Sequence, residues 1–309
     1  MTNKRWLAVT FALLLGALCA GVGIAWFAIK LATSRGFPQL MFAPYSQVEN
    51  YPFSLKHEDC EILIFGDSSA MTGVDPVKIE ELTHRKTCNI SQTQPTVVAT
   101  GMLTVELYLK QNALPKYLVI QVSPDAFYQP HGLDTLAGFD PILLMLRHDP
   151  GYATTKKLLQ NASPTLRFLS LVLQARYRPD RVYGARFLAL YRQPIEDYYA
   201  HSGFLTMPEP AEVGCGVARP LRAAADFGWI DEARKRYSAE GVKVLVLASP
   251  IPECESQKDV YRELAPHLDG ELSTLPLGLF NDSDRHYTRE GAGVVSGIVA
   301  RKILALEAR

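Results

Sequence analysis

The stretch ILIFGDSSAMTGVDP, residues 62–76, decides the fold. It opens on four apolar residues in a row, the pattern of a strand buried on both faces, and such strands belong to parallel sheets covered by helices. Gly66-Asp67-Ser68 ends the run, and Asp75 followed by Pro76 supplies an N-cap and first position for a helix over 77–85. The alternation continues outward: TCNIS (87–91) reads as a strand, TVVATGMLTVELYLKQN (96–112) as a helix, and YLVIQV (117–122) as a third strand. Later, DFGWIDEARKRYSAEG (226–241) reads as a helix stopped by Gly241, VKVLVLASP (242–250) as a fourth strand, and PLGLF (276–280) as a weaker one. An amphipathic helix, GAGVVSGIVARKILALEA, closes the pattern. Strands alternating with helices predict an α/β fold: a parallel sheet of about five strands with helices on both faces.

The N-terminal region differs, since no charge interrupts Trp6 to Ile29 and tryptophans stand near both ends of that stretch. At about 1.5 Å per residue it can cross a hydrocarbon core of roughly 30 Å. It is longer than the core of a cleavable signal peptide, so residues 1–30 are expected to be a retained transmembrane anchor. Lys4 and Arg5 on one side face Lys30 and Arg35 on the other, so charge alone does not orient it. Residues 31–59, with Pro38, Pro44 and Pro52 and no sustained period, read as an extended linker. The α/β domain is then 60–309, with an insert at about 126–225 expected to form a helical cap. Lys plus Arg and Asp plus Glu balance at 32 each with no basic run, which argues against nucleic acid as a partner.

Ligands of parallel sheets bind beyond the carboxyl ends of the strands, where Ser68 stands. At that junction a serine has the exposure a nucleophile needs, and its own N–H can join an oxyanion hole; it is also a good helix cap, so both readings stay open. The segment NDSDRHYTREGA (281–292) lies at the same sheet edge and offers His286 as a general base, with Asp282 or Asp284 to orient it. The i to i+4 spacing favours Asp282. Ser69 is expected on the helix surface.

GDSS followed by TGVDP, together with the C-terminal Asp/His segment and EGA, resembles the SGNH (GDSL-like) hydrolase superfamily. The chain is similar in particular to its membrane-anchored DltD-like and polysaccharide O-acetylation-associated members. The likeness covers most of 60–125 and 240–305. It implies a flavodoxin-like sheet, Ser68 as nucleophile and His286 as base, in an O-acetyltransferase or esterase acting on a cell-envelope or exported glycan. It also implies a membrane-bound O-acyltransferase as partner, no cofactor, and a domain facing the periplasm or exterior. The pattern departs at three places: Ser283 stands where the family's acid usually does, and its second-block glycine and third-block asparagine have no clear counterparts. Asn89, Ser91 or Gln92 are the candidates for a replacement oxyanion donor. The same departures suit an inactive scaffold, which is the rival expectation. From the expected topology Cys60 pairs with Cys88 and Cys215 with Cys254, even cysteine numbers outside the anchor fitting an oxidising compartment. No spacing resembles a metal site.

Overall fold

The computed structural model describes residues 3–34, 43–129, 133, 139–177, 198–207, 213–215, 221, 224–282 and 286–308. Its elements run α1 (Asn3–Ala32), α2 (Ala43–Ser54), β1 (Ile62–Gly66), α3 (Ser68–Gly73), α4 (Pro76–Thr83), β2 (Thr87–Asn89), α5 (Gln94–Thr100), α6 (Leu103–Leu109) and β3 (Tyr117–Val122). After a 3-10 turn at Pro124–Tyr128 come α7 (Phe139–His148), α8 (Tyr152–Gln160), α9 (Ala162–Tyr177), α10 (Gly228–Ala239), β4 (Lys243–Ala248), β5 (Ile251–Pro252), α11 (Lys258–Tyr261), β6 (Thr274–Leu275) and α12 (Arg289–Glu307).

The main sheet is parallel throughout, with strand order β2-β1-β3-β4. Alternation along the strands builds two cores. Leu63, Phe65, Leu118 and Ile120 face α5, α6 and α10, while Ile62, Ile64, Val119 and Leu245 face α4 and α12 through Ile79, Val295, Val299 and Ile303. The run that opened the reading is therefore fully buried, as a central parallel strand must be.

Four expectations are corrected. The described residues place four strands in the main sheet; the fifth expected strand at 276–280 is a 3-10 turn, Leu277–Leu279, entered from Pro276, and the nearby β6 pairs with β5 as a separate two-stranded sheet. The single helix expected over 96–112 is two, split at Gly101, whose φ is +55°. The linker contains α2, whose Pro44 sits in its first turn and Pro52 in its last, where lost N–H donors cost least or the helix is ending. Val48 and Tyr51 bury α2 against Met71, Tyr198 and Leu205. Finally, Ser69 is buried, not on the helix surface.

Among the described residues one helix, α1, is long and apolar enough to cross a membrane: its best window has mean hydropathy 2.4 and is nowhere covered by the protein. Its last turns behave differently. Ala28 and Ala32 are fully buried in a third core with Ile142, Leu143 and Met145 of α7, Leu158 of α8, and Phe168, Leu169 and Val172 of α9. The last carbonyls of a helix lack intrahelical partners, and here the Arg147 guanidinium donates through Nε and Nη2 to Ala32 O at 3.2 and 2.9 Å. The insert thus contains the expected helices where it is described, and they hold the end of α1. Both disulfides form, Cys60–Cys88 and Cys215–Cys254, each with a Cα–Cα distance of 5.9 Å.

Candidate active site

The chain turns from β1 into α3 at Asp67, which adopts extended backbone as the N-cap. Gly66 is required just before it, since a Cβ there would lie 1.7 Å from Gln121 O on the neighbouring strand. Asp67 satisfies the first turn: its Oδ1 accepts from Ser69 N at 3.0 Å, and its carbonyl accepts from Ala70 and Met71 N–H. Among the described residues the Ser68 N–H has no acceptor, and Ser68 is the partly exposed residue in a run of buried ones.

The Asp67 carboxylate does more than cap. Its Oδ1 also accepts the Ser69 hydroxyl at 2.5 Å, while Oδ2 accepts Ser123 N at 2.9 Å and the Ser123 hydroxyl at 2.5 Å. Having given its one proton to Asp67, Ser69 Oγ accepts from Ser249 Oγ at 2.6 Å. One buried carboxylate therefore joins the ends of β1, β3 and β4 beneath Ser68. Sequence reasoning missed this hub, whose only signal was an acidic residue closing an apolar run.

His286 reaches Ser68 from the C-terminal side of the sheet. The loop that carries it closes on itself, with Asn281 N–H donating to His286 O at 2.8 Å and Phe280 bridged to Tyr287. Tyr287 then fixes the loop: its hydroxyl donates to Pro250 O at 2.6 Å, and its ring packs where a Cβ at Gly73 would approach to 2.7 Å. A glycine in the TGVDP tail is thus needed for α3 and this loop to meet.

Loop closure brings Asp282 onto His286. Its Oδ1 accepts His286 N–H at 3.2 Å and its Oδ2 accepts from Nδ1 at 2.7 Å. A carboxylate only accepts, so Nδ1 carries the proton and Nε2 is left as the acceptor for the Ser68 hydroxyl, 2.9 Å away. The side chains of His286 and Asp282 remain 17 % and 34 % exposed, so the relay is open to a reactant. Asp284, the other candidate acid, lies outside the described residues.

The oxyanion candidates at the end of β2 and just beyond it separate. Asn89 is turned away: its Nδ2 donates to Ala70 O at 3.0 Å and Val74 O at 2.9 Å, and its Oδ1 accepts Ser91 N–H. That amide braces α3 and has no donor left for an oxyanion. Gln92 lies beside the Ser68 turn, its backbone N–H donating to Gly66 O at 2.9 Å. The Gln92 Nε2 and Ser91 Oγ are buried without hydrogen-bond partners among the described residues. Of the other histidines, His148 and His267 stack on Phe53 and Phe227, and His84 caps the end of α4. Among the described residues no three His, Cys, Asp or Glu side chains converge as a metal centre would require.

The insert also touches this edge. Leu205 N–H donates to Met71 O in α3, and Asn89 N–H donates to Ser202 O, so residues 198–207 run beside the Ser68 turn. Comparison with protein-family models, with curated proteins and with solved structures returns no match for this chain.

Proposed function

We propose that this chain is a membrane-anchored SGNH-type acyl-transfer enzyme, an O-acetyltransferase or esterase that acts outside the cytoplasm on an acylated glycan. The observation that carries the reading is the continuous relay from Ser68 through His286 to Asp282. In it, Ser68 Oγ attacks the acyl carbon while Nε2 of His286 takes the hydroxyl proton, and Asp282 holds the resulting imidazolium. Collapse of the tetrahedral intermediate breaks the ester C–O bond, and the leaving alkoxide takes the proton from Nε2. Water or a sugar hydroxyl then attacks the acyl-serine, His286 accepts its proton, and that proton returns to Ser68 Oγ. The unengaged Ser68 N–H and the orphan Nε2 of Gln92 are the donors assigned to the oxyanion.

The strand order 2-1-3-4 supports a flavodoxin-like winding. The anchor is supported by Ala28, Ala32 and the Arg147 contact, because cleavage near residue 30 would strip a wall from a core that the insert has built. A membrane-bound O-acyltransferase is the partner that would deliver acyl groups to such a site. The commitment of Asn89 to α3 favours a second reading, a scaffold that has lost turnover. A fluorophosphonate probe separates the two. Labelling that disappears in Ser68→Ala is expected; no labelling of the folded wild-type chain would leave only the scaffold.

A further inference from the structure

A cavity of about 770 Å³ lies where α1 meets the domain, walled by Ile29 and Lys30 of α1 with Thr33 and Ser34 just after it, Asn50 of α2, and Leu146, Arg147 and His148 of α7 with Pro150 just beyond. We propose that it binds the phosphodiester headgroup of an anionic bilayer lipid, a site that rests on the anchor reading above but not on the Ser68 relay.

Depth is the first argument. Lys30 is the first charge after the apolar stretch, and its ammonium sits 5.9 Å over the Trp26 ring, so these residues mark the level where lipid phosphates lie. Charge is the second. Lys30 and Arg147 are both cationic, and among the described residues no carboxylate lines the cavity. Arg147 is fixed in place by its bonds to Ala32 O, and so offers a positioned charge where a surface lysine would offer a mobile one. The third argument is an amphipathic lining: Ile29, Leu146 and Pro150 supply apolar surface suited to the glycerol and first acyl carbons, in the same cavity as the two cations. His148 donates from Nε2 to Asn50 Oδ1 and stacks on Phe53, so the wall is braced without a bound group.

The test is native mass spectrometry of the full chain in mild detergent, titrated with phosphatidylglycerol, phosphatidylcholine or inorganic phosphate. Wild type is expected to retain phosphatidylglycerol roughly tenfold better than phosphatidylcholine. Lys30→Gln should lower that retention about fivefold, the worth of one lysine at an anionic surface, whereas Lys78→Gln on the exposed face of α4 leaves it unchanged. Arg147→Lys keeps the charge but loses the paired bonds to Ala32 O, and should lower retention less than Arg147→Gln, which removes the charge. Equal retention of the two lipids, no effect of Lys30→Gln, or displacement of phosphatidylglycerol by inorganic phosphate overturns the site. Resistance of the membrane-bound chain to alkaline extraction is scored in parallel, so failure of the anchor is read separately from failure of the cavity.

Discussion

Replacing Asp67 by Asn changes one atom type at the hub beneath Ser68, and the structure sets the cost. Each carboxylate oxygen accepts one backbone N–H and one hydroxyl, from Ser69 on one side and Ser123 on the other. Whichever way the amide turns, its NH₂ faces a backbone N–H that cannot rotate away, although the hydroxyl beside it can. An orphaned buried donor costs about 1–3 kcal/mol, and the two bonds that survive on the remaining oxygen lose roughly 1 kcal/mol each with the charge. The sum is about 3–5 kcal/mol, a large share of a typical domain's stability. Ser123→Ala removes one hydroxyl and should cost only about 1–2 kcal/mol. Urea unfolding of the full chain in detergent measures both, and the rate of fluorophosphonate labelling reports the turn. Asp67→Asn is expected to slow labelling more than tenfold, because the misplaced N–H pulls the Ser68 turn out of line. If Asp67→Asn costs no more than Ser123→Ala, the Asp67 hub does not hold the Ser68 turn in place.

Asp282→Asn presents an amide donor to Nδ1, drives the imidazole into the tautomer with its proton on Nε2, and should lower labelling and ester turnover by about 10²–10⁴-fold with little change in unfolding. His148 is pushed down to about 4, by burial first and then by Arg147. Its stability contribution is therefore present above an unfolded pKa near 6.5 and lost as pH falls toward 4; relative to His148→Phe, wild type should lose about 3 kcal/mol over that window. Asp140 runs the other way. Burial raises it to about 6 despite the Thr93 hydrogen bond, so its contribution is complete below 3.8 and lost as pH rises through 6. Asp140→Asn should accordingly gain on wild type as pH climbs, which thermal melts at pH 4.5 and 7 will read. Removing the Cys60–Cys88 bridge, which spans 28 residues, should cost about 3.6 kcal/mol by loop entropy, measured as the denaturant midpoint of the double serine variant.

How much of this was legible differs by element. The central strands were readable because burial on both faces leaves an unbroken apolar run, and the cap of α4 because Asp75 bonds Val77 N–H where its position predicts. The 276–280 segment was misread because a short apolar run does not distinguish a strand from a turn packed against a sheet edge. Ser68 and His286 could be named from sheet topology, and Asp282 as a partner of His286 from spacing. That spacing argument assumed a helical turn; the loop instead meets its own end through Asn281 and His286. The hub at Asp67 and Ser69 was not legible because their partners, Ser123 and Ser249, follow strands distant in sequence. Asn89 was legible as a polar side chain near the site but not as a brace, since its partners are backbone carbonyls that no side-chain pattern reveals.

The union of α1 with α7–α9 bears on motion. A domain on a loose tether samples a hemisphere of positions above its membrane, and its site meets substrate at many heights. Here one face of the last turns, at Ala28 and Ala32, is buried in the body of the protein. In a bilayer such a body turns mainly about the membrane normal, with its tilt inherited from the helix, and the Ser68 site sweeps a ring at nearly constant height. If α1 is the retained anchor and the substrate the glycan proposed above, that polymer must be presented within the narrow annulus, so reach would be set by geometry at the membrane surface and not by the length of a linker.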